Sequence, residues 1–232
     1  MPWWKKILLA LLALVIILVA MGAFVYSRYL HPTREIVTDL YAVRHDRNNF
    51  PMVNFFIMRA GERYIAFDAG YCSEQTEYAL QTLNISADDV VAVFITHSDY
   101  DHLGSLSLFN NATIYSWDTE FQYAERARNA PVFERPDLPH DTMIDGEVIE
   151  IYGRVIQLIY TPGHTSDSVS FLVDNKYLFV GDLFVSLNHA YYNAELQAVS
   201  RENVLGIHSV EYVFTGHFGL FRNVRFFRRW FL

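Results

Sequence analysis

The sequence predicts a layered α/β domain behind one membrane-length helix, and three observations carry that expectation. From about Arg34 onward, short runs rich in Val, Ile, Phe and Tyr alternate with helical patterns. The run Ile7–Ser27 is free of charge and long enough to cross a hydrocarbon layer of about 30 Å as a helix. His and Asp residues stand beside Gly immediately after several of the apolar runs, where strand ends turn. With 232 residues, 52% of them apolar, the chain has room for one sizeable core.

Residues 1–30 are set apart from the soluble fold. Their apolar run exceeds the roughly 7 to 15 residues of a secretory signal core, and Trp3, Trp4, Tyr26 and Tyr29 flank it as an interfacial aromatic belt would. A retained single-pass anchor is the favoured reading. The small-residue stretch Ala20-Met21-Gly22 keeps a cleaved signal open as the alternative. Lys5 and Lys6, set against Arg28 and Arg34, tip the orientation towards the amino terminus inside and the domain outside the cytoplasm.

Residues 34–221 form the expected domain. Strands are expected over Ile36–Val43, Val53–Met58, Tyr64–Phe67, Val90–Thr96, Thr113–Ser116, Val148–Ile151, Val155–Tyr160, Ser168–Val173, Tyr177–Val180 and Tyr212–Phe214. Helical patterns fit Glu74–Leu83, Asp118–Arg128 and Ala194–Gly206, and the three prolines of Ala130–Asp141 mark a surface loop. Residues 222–232 are a basic, aromatic tail, suited either to a membrane interface or to packing its rings on the domain. A net charge of −8, with no basic stripe beyond this tail, argues against nucleic acid as a partner. The single cysteine, Cys72, excludes an intrachain disulfide.

The segment His97-Ser98-Asp99-Tyr100-Asp101-His102 places four metal-type ligands in six residues after the apolar run Val90–Ile95. Three further strand ends repeat the device: His164 follows Val155–Tyr160, Asp182 follows Tyr177–Val180, and His217 follows Tyr212–Phe214. Singly, each is an ordinary helix-capping Asp or turn His. Jointly, in one order and each beside Gly, they point to a shared metal centre.

These motifs, His-x-Asp-x-Asp-His followed by His, Asp and His on later strands, resemble those of the metallo-β-lactamase superfamily. The resemblance covers roughly Asp39 to Gly219 and implies a four-layer αβ/βα sandwich with a two-metal site at one edge. It implies one divalent ion on His97, Asp99 and His164 and another on Asp101, His102 and His217, with Asp182 bridging. Zinc is the family's usual metal. Phe67-Asp68-Ala69-Gly70 resembles the family's strand-end Asp-x-Gly motif, with Asp68 as a hydrogen-bonding support.

Asp99 departs from the pattern, which usually has a second His there. Carboxylate oxygen ligates zinc, manganese or iron alike, and the flavodiiron branch is similar in carrying an acidic residue at this place. Asp99, Asp101, Asp182 and a bridging hydroxide cancel the four charges of two divalent ions. A less electropositive pair favours harder metals such as manganese or iron and an alkaline activity optimum.

The resemblance implies a hydrolase in which a metal-bridging hydroxide, oriented by Asp101, attacks a carbonyl or phosphorus centre of an ester, lactone or phosphodiester-type substrate. Gly181-Asp182 without a Cys speaks against the zinc β-lactamases themselves. With 15 residues after His217, neither a glutathione-binding helical extension nor a flavodoxin domain is expected. Phe184, His189, Tyr191 and Tyr192 are the candidate substrate contacts, an aromatic and mostly uncharged wall compatible with a small apolar or lipid-like substrate near the membrane; His31, His45, His140 and His208 read as loop residues. The alternatives are a membrane-anchored metal-binding or sensing protein with little turnover, and an iron-dependent oxidoreductase.

Overall fold

A computed structural model describes residues 2–29, 32–47, 50–117, 138–186 and 192–222. It opens on α1 (Trp3–Tyr29), whose side chains from Trp3 to Met21 are exposed all round. Its described side chains are apolar on every face and exposed, and the helix is long and apolar enough to cross a membrane.

Among the described residues, β1 (Arg34–Val37), β2 (Leu40–Arg47), β3 (Phe50–Ala60), β4 (Arg63–Phe67), β5 (Val90–Phe94), β6 (Thr113–Ser116) and β7 (His140–Thr142) lie side by side in chain order. The first four pair antiparallel, and β4 to β7 pair parallel. A second sheet has the order β13 (Gly219–Phe221), β12 (Tyr212–Thr215), β11 (Tyr177–Phe179), β10 (Val169–Val173), β9 (Arg154–Tyr160), β8 (Val148–Ile151). Among the described residues the α-helices of the domain are α2 (Ser73–Leu83), the single turn α3 (Tyr100–Leu103) and α4 (Ala194–Leu205).

The layering follows from the strand period of two. On β3 and β4, Phe56, Met58, Ile65 and Phe67 point between the sheets to meet Leu158, Phe171, Phe179 and Phe214 of the other sheet. Their neighbours Phe55, Ile57 and Ala66 point outward against Ala79 and Leu80 of α2. The far sheet does the same, with Leu172, Leu178 and Val213 packed on Val204 and Leu205 of α4. Phe67 stacks on Phe179 with ring centroids 3.7 Å apart, so the two sheets meet through aromatic faces. The result is the expected α-β-β-α sandwich.

Three local expectations change. Ile36–Val43 is not one strand: Asp39 takes φ 62°, and the chain reverses there into the β1–β2 hairpin. An Asp tolerates the left-handed region, and its N–H is held by Glu35 Oε1 at 2.8 Å. The end of the proline-rich loop is the strand β7, where His140 meets Ser116 Oγ at 2.6 Å. His45 is no loop residue either: it lies on β2, fully buried. The helical pattern Asp118–Arg128 falls outside the described residues, as does the tail beyond Arg222.

Candidate metal centre

All the sequence-nominated ligands sit where strands of the two sheets end on one edge of the sandwich. After β5, the chain passes Thr96 and His97 and enters α3, which carries Asp101 and His102 on its single turn, with Asp99 at its N-cap. Asp68, directly after β4, organises this loop. Its Oδ1 accepts the Thr96 N–H at 2.8 Å, and its Oδ2 accepts the Thr96 hydroxyl at 2.9 Å and His102 Nδ1–H at 2.8 Å. Because the Thr96 hydroxyl donates to Asp68, its oxygen is left to accept from His97 Nδ1, 3.0 Å away.

The other sheet supplies His164, Asp182 and His217. His164 follows Gly163, which has φ 135° and lies so close to α4 that an added Cβ would stand 2.3 Å from the Gln197 backbone nitrogen. Asp182 follows Gly181, whose φ of 48° and approach to Thr96 leave no room for a side chain. His164 Nδ1 donates to the Val185 carbonyl at 3.3 Å. Asp167 Oδ2 accepts the Ser98 N–H at 3.0 Å, tying the His164 loop to the His97 loop across the sheets.

With Nδ1 engaged, each of His97, His102 and His164 turns Nε2 towards the centre, the orientation that second-shell partners give metal-binding imidazoles. His97, His164 and Asp182 bring ligand atoms within 4.8 Å of one another, and so do Asp101, His102 and His217. Asp99 Oδ2 lies 3.3 Å from His164 Nε2 and 3.5 Å from His97 Nε2. Asp182 reaches both groups, with Oδ2 3.5 Å from His164 Nε2 and 2.9 Å from His217 Nε2, and Oδ1 3.5 Å from His102 Nε2. The buried Nε2 atoms of His97 and His102 and Asp182 Oδ1 have no hydrogen-bond partner among the described residues. Buried polar atoms are seldom left so. Divalent cations satisfy converging imidazole and carboxylate lone pairs together, so the donor set fits them.

The electrostatics agree. Burial pushes the Asp99 carboxyl up, but the neighbouring His164 and His97 imidazoles outweigh it and hold the group far below the usual carboxylate range. Burial lowers His217, yet Asp182 more than compensates and its pKa rises to about 9. His102, likewise opposed by burial, is held well above its ordinary value by Asp68, Asp182 and Asp101. Three carboxylates crowded among four imidazoles make a site that holds positive charge.

The candidate substrate contacts fare differently. Phe184 is 5% exposed and packs in the apolar layer under α4 with Leu183 and Val204, because the chain turns inward after Asp182. That burial removes it from any open wall. The Tyr192 hydroxyl donates to Gln197 Oε1 of α4 at 3.2 Å, and His189 and Tyr191 lie outside the described residues. Two supporting residues were not foreseen. Asp167 carried a signal, an acid three residues after His164. Asn54 carried little: it is a polar residue in the apolar run of β3, buried, donating its backbone N–H to Gly216 O at 2.6 Å.

The sequence pattern of the metallo-beta-lactamase superfamily matches residues 48–217. A probable metallo-hydrolase of Methanocaldococcus jannaschii is 31% identical over 103 residues, which are 44% of this chain and 41% of that protein. A probable polyketide biosynthesis zinc-dependent hydrolase of Bacillus velezensis is 29% identical over 128 residues, 53% of this chain and 51% of that one. The chain thus matches about half or less of the length of these relatives. A solved superfamily protein from the archaeon Sulfolobus tokodaii superposes with a TM-score of 0.64 at 19% identity, covering 83% of this chain and 84% of that one, a likeness of fold alone. A matched pattern spanning most of the chain, the sandwich fold and the converging His and Asp groups together place this protein in the metallo-β-lactamase superfamily, a family of hydrolase type that binds divalent metals.

Proposed function

We propose that this chain is a membrane-anchored, dinuclear metal-dependent hydrolase acting on an ester, lactone or phosphodiester-type bond. One ion is assigned to His97, Asp99 and His164, the other to Asp101, His102 and His217, and Asp182 is shared between them. The observation that carries this reading is the convergence of imidazoles from both sheets on Asp182, with the buried Nε2 atoms of His97 and His102 left without a hydrogen-bond partner among the described residues. When bound, such a cation pair supplies Lewis acidity and lowers the pKa of coordinated water. Zinc is favoured by the family, manganese or iron by Asp99.

The protein's own contribution is geometry and charge. Asp68 fixes the His102 ring and, through Thr96, the His97 ring, and Val185 fixes that of His164. Asp99, Asp101 and His217 have side chains 24%, 22% and 25% exposed, whereas His97, His102, His164 and Asp182 are nearly sealed. The open side of the site is therefore formed by the first three, and a substrate approaches there. Asp101 Oδ2, on that side and 3.4 Å from His217 Nε2, is placed to orient an attacking water and accept its proton.

The test is a screen of generic esters, lactones and bis-nitrophenyl phosphate with manganese, iron and zinc, beside a His102→Ala control. Metal-dependent turnover that His102→Ala abolishes supports the reading. Metal binding without turnover would favour a sensing protein, and visible absorption from iron with oxygen or nitric oxide reduction would favour an oxidoreductase.

A further inference from the structure

We propose that the metal site faces the bilayer in which α1 is embedded, and that its substrate is a long-chain acyl ester taken from the membrane rather than a soluble one. The inference rests on the hydrolase reading above and adds the substrate class. It stands on where the anchor joins the sandwich.

The direction of each strand fixes which end of the domain meets the membrane. β4 runs towards the site and delivers Asp68 there. β3 pairs antiparallel with it, so the site end of β3 is its start, with Asn54 beyond the Phe56–Phe67 pair. β2 reverses again, placing Arg44 opposite Asn54 at the site end. β1 reverses once more, so its first residue, Arg34, also lies at the site end. The chain coming from α1 therefore enters the domain at the metal-bearing edge. Had β1 run the other way, the strand length from Asn54 to Ala60, about 20 Å, would separate the anchor from the site.

A short series of contacts joins the two. Thr33 Oγ1 accepts the Arg44 N–H at 3.2 Å, Arg44 pairs with Asn54, and the Asn54 N–H donates to Gly216 O at 2.6 Å, next to His217. Three steps of about 5 Å put Thr33 on the order of 15 Å from Gly216. Tyr29, the last residue of α1, is four residues earlier, a span of about 14 Å at most. α1 also approaches β13, whose first residue, Gly219, is two after His217. The headgroup zone, roughly 5 to 8 Å deep on each face, lies within that reach.

The rim is apolar where it would meet lipid. Phe218, directly after His217, is 39% exposed. On α4, whose preceding Asn193 docks its N–H on Gly163 O beside His164, Leu196 and Val199 are exposed one turn apart. Phe218 beside His217, with Leu196 and Val199 exposed on the helix that docks on the His164 loop, suits an acyl chain and a bilayer surface. In the reaction, water oxygen bonds to the acyl carbon and the acyl carbon–oxygen bond to the alcohol breaks. One water proton goes to the leaving alkoxide, and the other is released as the fatty acid ionises.

The full chain is reconstituted in phosphatidylcholine vesicles and given nitrophenyl acetate, which stays in water, and nitrophenyl palmitate, which enters the bilayer. A second form carries a twenty-residue Gly-Ser spacer between Leu30 and His31, long enough to move the domain about 25 Å from the surface. The spacer is expected to cut palmitate turnover about tenfold or more, because the local concentration of membrane substrate at the site falls, and to leave acetate turnover within about twofold. Equal effects on both esters, or no effect on palmitate, would overturn the proposal while leaving the hydrolase reading intact. So would amino-terminal sequencing that finds α1 removed. Absence of turnover on either ester in the unmodified chain, with the broader screen also negative, would sink both readings.

Discussion

At the residue scale, His45 shows how a side chain outside the ligand set secures the site loop. Its Nδ1 accepts the Tyr71 N–H at 2.7 Å, and its Nε2 lies 3.0 Å from the Thr76 hydroxyl, so the ring is neutral with Nε2 as donor. Burial holds its pKa down to about 4 from an ordinary 6.5, against the opposing pull of Asp46. Between those values the unfolded chain holds the extra proton, so stability is complete above pH 6.5 and falls as pH drops towards 4. The loss is about 3 kcal/mol, at ~1.4 kcal/mol per pH unit. Urea denaturation from pH 7 to 4 should show this slope in the wild type and a flatter one in His45→Gln. Asp99 makes a second expectation at this scale. Asp99→His removes one negative charge from the ion pair's surroundings, so bound metal should shift towards zinc and the acid limb of the rate profile to lower pH. If elemental analysis finds zinc alone in both proteins and their pH profiles coincide, the charge argument fails. The His and Asp ligand types were legible because each followed an apolar strand beside Gly. The roles of His45 and Asn54 were not, since burial of a single polar side chain leaves no pattern in sequence.

At the element scale, the strand ends and the helix that docks on them act together. Asn193 caps α4 by accepting the Leu196 N–H at 3.0 Å, and α4 then runs so close to Gly163 that no Cβ fits. Gly163→Ala should therefore displace α4 from the His164 loop, costing on the order of 3 kcal/mol and weakening metal retention together. Calorimetry and metal analysis of the variant check both effects; a variant that keeps its metal and its melting temperature would show that α4 yields freely. The strands whose bounds were most legible were β6 and β8, four residues each and rich in β-branched residues. The β1–β2 hairpin was hidden because its reversal uses Thr38-Asp39 without Gly or Pro. β7 and β13 are three residues each and are defined by their neighbours, which a periodicity cannot reveal.

At the scale of the whole molecule, the sandwich was legible because alternating apolar residues on β3 and β4 require a partner on both faces, and the apolar α1 segment is separable by composition alone. The substrate surface was less so: Phe184 belongs to a packed layer, and aromatic composition by itself does not tell a wall from a core. The two proposed ion sites each draw donors from both sheets, His97 with His164 and Asp182, and Asp101 and His102 with His217. Ions held there would be rivets between halves of the chain, joining His97 to His164, 67 residues on, and Asp101 to His217, 116 residues on. A covalent link closing loops of those sizes restricts the unfolded chain by about 4 to 5 kcal/mol, and ions bound only by the folded state act in the same direction by mass action. Chelation should then lower the melting temperature and make it depend on free metal, with the two sheets loosening from one another at the ligand edge first. The same atoms that would do the chemistry would thereby set how long the protein survives when metal is scarce.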